Sequence, residues 1–319
     1  MKKIILTLTL LIYLLPSGLF AQTPIWQGKG RIAISSDGNE HDDDDWSATP
    51  MSLAILAASG LQDKLAIYTY SDHIWGSNVC HPNKNGISAY EQMRVSALQG
   101  KAQFGFNKTK FVCAVDNAER AYQAMVEVIN ESTEDNPLII IAGGPMQVVG
   151  ESMNRANKEA LKYVTLISHS WWNNEHSDWW SDDVDRPFPA AKSKEWDAHS
   201  GWTFDEIVEK FTKKEYGAKC IYILDQNGGK DKDGNVYEGL ASGIERFEWI
   251  KTSPARNNPA YKKGSWDWLY SRLMCVVRNK PTGKGFDVSD AGMVVYMLTG
   301  IETTNVDMVK KIMENPVTK

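Results

Sequence analysis

The sequence predicts an α/β fold in which a doubly wound, mostly parallel sheet is covered by helices on both faces. Three observations predict it. Short apolar runs alternate with helix-length segments along most of the chain, the spacing of strand-helix-strand units. The runs are continuously apolar rather than alternately polar and apolar, as strands buried on both faces require. Residues rich in Asp, Asn and His stand just past the runs, where such sheets bind ligands beyond the carboxyl ends of their strands.

In chain order, the strand-like "RIAIS" is followed by the helical "MSLAILAAS", "KLAIYTYS" by "GISAYEQMRVSALQG", and "KFVCAV" by "NAERAYQAMVEVINES". The series continues with "PLIIIAGG", "MQVVGESM", "YVTLISH", "FDEIVEKF" and "AKCIYILD". Beyond Asp225 the alternation lapses, and "GSWDWLYSRLMCVVRN" and "VSDAGMVVYMLTG" read as two helices of a closing segment. The positions past the strands are Asp37 onward, Asp72 to Asn78, Asp116, Gly143 to Pro145, His169 to Asn174, and Asp225 to Asn227.

Residues 1–22 have two lysines, an apolar core from Ile4 to Leu15, a helix-breaking Pro-Ser-Gly and a small residue at Ala21. That is the layout of a secretory signal peptide, so an exported protein, periplasmic or secreted, is expected. No later stretch approaches the ~20 apolar residues that span a bilayer. Residues 23–319 contain no Pro/Ser-rich linker and no internal repeat, so they are expected to form a single domain. The net charge of -5 and the lack of a Lys/Arg-rich block argue against a nucleic-acid polymer as partner; a small molecule or carbohydrate fits better. Cys80, Cys113, Cys220 and Cys275 form no CxxC pair, which argues against a zinc site; disulfides and buried thiols both stay open.

Six acidic residues fall between Asp37 and Asp45, directly after a strand and before a helix. Two carboxylates about 4 Å apart repel by ~4 kcal/mol at an effective dielectric of 20, so such a cluster either splays into water or is organised by a hard cation. Oxygen-only ligands suit Ca²⁺.

The plan "IAISSDG…DDDDWSA" resembles the nucleoside hydrolase-like superfamily, in which a strand ends in Asp and a Gly turn leads to an Asp-Asp pair at a helix start. "LAIYTYSDHIWGSN" is similar to the family's second strand, ending in Gly-Asn. "LIIIAGGPMQVVG" is similar to its Gly-Pro-Leu-Thr-Asn turn, and "VSDAGMVVYMLTG" to its His-Asp-Pro-Leu-Ala helix start. The blocks come in the family's order and cover most of residues 23–319, with a divergent, exported branch the nearest in plan.

The resemblance implies a Ca²⁺ ion held by Asp37, by one or both of Asp44 and Asp45, and by Asp290, with a backbone carbonyl near Met146 or Gln147. Asp42 and Asp43 are also available, and the register of the pair stays open; Asp44 and Asp45 are preferred because the helix starts directly after them. Asn78 would face sugar hydroxyls, and Asp37 would accept the proton of an attacking water. Members are commonly oligomeric, so a homo-oligomer is expected from the resemblance.

Two departures matter. Ser289 stands where one class of nucleoside hydrolases has a His that assists the leaving base, and Met146-Gln147 stands for Leu-Thr. Trp171, Trp172, Trp179 and Trp180, beside Asn173 and Asn174, suit stacking on sugar rings, although such tryptophans also cap small local cores. His169 and His176 are candidate leaving-group acids. The expected activity is a Ca²⁺-dependent hydrolase cleaving an N- or O-glycosyl bond in a sugar, an oligosaccharide or a nucleoside-like compound. The alternative is a carbohydrate-binding protein that keeps the fold and metal without hydrolysis.

Overall fold

The computed structural model describes residues 23–39, 43–74, 86–175, 201–279 and 286–317, with only the backbone of Trp172 and Glu175. Asn78, His176, Trp179 and Trp180, Asp42 and the signal-like segment 1–22 lie outside the described residues. Six strands form the central sheet: β1 (Arg31–Ser36), β2 (Leu65–Tyr70), β3 (Lys110–Cys113), β4 (Leu138–Gly143), β5 (Val164–Ser168) and β6 (Lys219–Tyr222). Their order is β3-β2-β1-β4-β5-β6, and every pairing is parallel. β1 and β4 run in register from Arg31 beside Leu138 to Ser36 beside Gly143. The chain leaves these two central strands in opposite directions, which opens a crevice past their carboxyl ends.

Continuous apolar runs produce this sheet because both faces are covered. One face carries α1 (Asp45–Ala58), α2 (Ala89–Phe104) and the closing helices α9 (Ser265–Asn279), α10 (Ala291–Thr299) and α11 (Val306–Glu314). The other carries α3 (Ala118–Asn130), α4 (Gln147–Arg155), α5 (Lys158–Leu161) and α7 (Phe204–Phe211). The short α8 (Trp249–Thr252) packs on the first face against α9, and the short α6 (Trp171–Glu175) packs against α7. "DKDGNVYEG" forms the turn of a small hairpin, β7 (Gly229–Lys230) with β8 (Val236–Tyr237); β9 (Ala241–Ser242) pairs with β10 (Phe286–Asp287). Among the described residues no helix is long and apolar enough to cross a membrane. Cys113, Cys220 and Cys275 are free thiols.

α1 is buried on every side, which explains why its sequence is apolar all round. It packs against α2, α9, α10 and α11. Pro50 sits inside it and has no N–H to offer the carbonyl of Trp46 one turn earlier. Ser96 of α2 donates its hydroxyl to that carbonyl at 2.5 Å, and buried Arg272 of α9 donates to Ser96 at 3.0 Å. The proline is thus repaired by tertiary contacts. Trp46 and Trp266 are core side chains, so part of the tryptophan excess is structural. Asp267 lies in the first turn of α9 and pairs with Arg256.

Close packing at Gly150 makes one prediction. A Cβ there would lie 2.3 Å from Cγ of Trp202, at the stem of the ring. Alanine gains about 1 kcal/mol of helix propensity over glycine, but overpacking costs about 1–3 kcal/mol. Gly150→Ala is therefore expected to destabilise the protein on balance, read as a lower urea midpoint.

Candidate functional site

Three chain segments deliver carboxylates to the crevice between β1 and β4. Asp37 directly follows β1, and its N–H donates to the carbonyl of Gly143 at 3.2 Å, which ties it to the end of β4. Asp45 opens α1, and Asp290 precedes α10, so both stand at helix N-termini, where the dipole favours negative charge. Asp37 and Asp45 are almost completely buried, at 1% exposure each.

Glycines reveal how closely these carboxylates press on the backbone. A Cβ on Gly143 would lie 2.5 Å from Oδ2 of Asp290, and one on Gly144 would lie 3.2 Å from Cγ of Asp37. A Cβ on Gly38 would lie 2.8 Å from Cβ of Asp45. The buried Tyr68 phenol links the same groups: burial raises its pKa first, and the charges of Asp45 and Asp290 raise it further. Asp290 thus lies against Gly143 and Asp37 against Gly144, while Asp45 lies against Gly38, the residue after Asp37. Gly143→Ala is expected to displace the Asp290 carboxyl and break its bond to His169, seen as a shifted His169 ring resonance in an otherwise folded protein.

The neighbouring Asp43 and Asp44 also make contacts of their own. Asp44 is the half-buried N-cap of α1, and its carbonyl receives the N–H groups of Ser47 and Ala48 at 2.8 and 2.9 Å. Asp43 is buried and accepts from the side-chain amide of Asn279 at 2.9 Å. Near α4, the carbonyl of Met146 accepts from Gly150 within the helix at 2.7 Å. The Gln147 side chain turns to Tyr122 and to the backbone of Trp202.

His169 follows β5 and is 1% exposed. Its Nε2 lies 2.7 Å from Oδ1 of Asp290. On the other side of the ring, the N–H of Gln226 donates to Nδ1 at 3.1 Å, and Oδ1 of Asp225 stands 3.5 Å away. Burial works against a charged imidazole, but Asp225 and Asp290 outweigh it and raise the pKa; the Gln226 N–H favours the neutral ring. In either state Nε2 carries a proton and donates it to Asp290. His169 therefore orients that carboxylate, with both nitrogens engaged inside the protein.

Asp225 and Gln226 received no role from the sequence beyond their place past a strand. Gln226 is fully buried: its amide donates to the carbonyls of Leu224 and Glu302, and Thr304 donates to its Oε1. Past His169, Ser170 adopts a left-handed φ of +67° and sends the chain into α6. There Trp171 is 58% exposed, Asn173 is buried and donates to the His169 carbonyl at 2.9 Å, and Asn174 accepts from the Asp205 N–H at 3.2 Å. The two asparagines anchor α6, while Trp171 presents a face to solvent.

Carboxylate oxygens are the donors that suit Ca²⁺, and the glycine turn leaves room for them beside the backbone, so the donor chemistry fits. Among the described residues no group of three or more His, Cys, Asp or Glu side chains is drawn close enough to hold an ion.

The fold and site together define a doubly wound α/β protein with a buried carboxylate cluster at its switch point. No family model matches the chain. It is 26% identical over 309 residues, 92% of this chain and 94% of the relative, to Uncharacterized protein P22 of Formosa agariphila. A solved hypothetical protein of Streptococcus mutans aligns over 94% of both chains at 10% identity, with a TM-score of 0.27.

Proposed function

We propose that the protein is an exported, Ca²⁺-dependent hydrolase of a glycosidic bond, with a sugar, oligosaccharide or nucleoside-like substrate, related to the nucleoside hydrolase-like proteins. The observation that carries the reading is the placing of Asp290 and Asp37 against Gly143 and Gly144, with Asp45 against Gly38 beside Asp37 and both Asp45 and Asp290 acting on the Tyr68 phenol. Asp37, Asp290 and one or both of Asp44 and Asp45 would hold the ion. When bound, Ca²⁺ there would supply charge for a water and the sugar hydroxyls and lower the water's pKa. Asp37, fixed by the Gly143 carbonyl, accepts the proton of the attacking water. The buried carboxylates favour the positive charge that grows on the sugar. His169 holds Asp290 in orientation, and exposed Trp171 offers a face for a sugar ring.

One observation favours a second reading, a carbohydrate-binding protein without hydrolysis. His169, the candidate leaving-group acid, is buried with both nitrogens engaged. Nucleosides, aryl glycosides and oligosaccharides assayed with calcium and with chelator separate the two. For a hydrolase, Asp37→Asn is expected to cut turnover by on the order of 10²–10⁴-fold while calcium and sugar still bind. Sugar binding without turnover in the unmodified protein selects the binder, and indifference to every compound rejects both.

A further inference from the structure

Asp72 follows β2, has 0% exposure, and belongs to none of the groups assigned above. Its Oδ2 accepts the hydroxyls of Ser35 and of Thr69, the latter at 2.9 Å. Ser35 and Thr69 are register partners on β1 and β2, so one carboxyl oxygen bridges a cross-strand pair. The other oxygen, Oδ1, is buried with no hydrogen-bond partner. An ionised carboxylate would be poorly solvated here, whereas a neutral acid is tolerated.

To reach Thr69, three residues back along its own strand, the Asp72 side chain must fold over the strand end. The backbone does this at Ser71, which adopts a φ of +54°, a conformation that disfavours side chains other than glycine. The same turn aims two N–H groups at the site: Ser71 donates to the carbonyl of Asp37 at 3.0 Å, and Asp72 to that of Ser36 at 3.1 Å. Next in line, His73 and Asn39 exchange hydrogen bonds between the asparagine amide and the histidine backbone at 3.0 and 3.3 Å. The loop that carries Asp37 is fastened at three successive points to the turn that Asp72 holds.

We propose that Asp72 is a positioning residue, whose buried carboxyl locks the left-handed Ser71 turn and so fixes the backbone of Asp37 at the mouth of the crevice. Its functional consequence rests on the reading of Asp37 given above; the positioning itself does not.

Hydrogen exchange in the intact protein, with Asp72→Ala and Asp72→Asn, tests this without a ligand. Asp72→Ala is expected to speed exchange of the Ser71 and Asp72-position amides at least tenfold while Ile34 and Tyr68 within β1 and β2 keep their protection. Asp72→Asn, which keeps an acceptor for both hydroxyls, is expected to retain wild-type rates. Unchanged exchange in Asp72→Ala, acceleration spread evenly along both strands, or equal acceleration in both variants would each overturn the proposal. If Asp72→Ala does not fold, Thr69→Val removes one of the two donors and is expected to speed the same two amides. Calcium titrated into these proteins supplies the link to the site: the alanine variant is expected to bind about tenfold more weakly. Failure of the wild type to bind calcium would sink the metal reading and leave the exchange result to decide the positioning role.

Discussion

Calcium titrated into the chelator-treated protein is expected to bind as a single ion, and Asp45→Asn and Asp290→Asn are each expected to weaken it by on the order of 100-fold or more, ~3 kcal/mol. The two residues lie near opposite ends of the chain, and both raise the pKa of the same buried phenol, Tyr68. A solvated acidic loop would give a different result, because removing one exposed carboxylate changes little. His169→Ala is expected to weaken the ion by on the order of 10–100-fold, since the imidazole orients Asp290 without being proposed as a ligand. Isothermal calorimetry on the four proteins checks all of this. Equal affinity in wild type and both aspartate variants would remove the main support for the calcium-dependent hydrolase.

Asp72→Asn is expected to change how stability depends on pH. Burial drives the Asp72 pKa up to about 7, against the opposing bonds from Ser35 and Thr69, from an ordinary value of 3.8. The folded pKa is raised, so the native state holds its proton while the unfolded chain has lost it. Stability from this group is complete below about pH 4, is lost as pH rises to about 7, and stays lost above. The full loss is ~4 kcal/mol, about three pH units at about 1.4 kcal/mol each. Asn cannot ionise, so the variant is expected to gain on the wild type by up to that amount between pH 4 and pH 8. Urea denaturation of both proteins across that range measures it. A constant difference would mean that Asp72 does not change charge on unfolding. The same neutrality would let Asn serve where Asp72 holds the Ser71 turn.

These two residues differ in how far the sequence exposed them. Asp290 was singled out by the resemblance of "VSDAGMVVYMLTG" to a family helix start, a motif confined to neighbouring residues. Asp72 was visible only as one of several polar residues past a strand. Its carboxyl is held by Ser35 of the neighbouring strand, at the end of a strand on which helix α3 packs. Asp225 and Gln226 are alike in this respect: their proximity to His169 is made by the pairing of β5 with β6 and by the return of the chain at Thr304. Trp266 and Trp46 illustrate the same limit, since an indole in the core and one exposed to solvent, as at Trp171, look alike in sequence.

The parallel sheet, its helical covers, and the places of Asp37 after a strand and Asp45 at a helix start are legible in the residues alone. These follow from apolar periodicity and local start signals, which neighbouring residues encode. Tertiary packing sets Asp290 against Gly143 and Asp37 against Gly144, turns His169 inward to Asp290, and brings Ser96 to the carbonyl left by Pro50. Those outcomes depend on which distant surfaces pack together, because a buried polar group takes its character from the partners that burial brings to it.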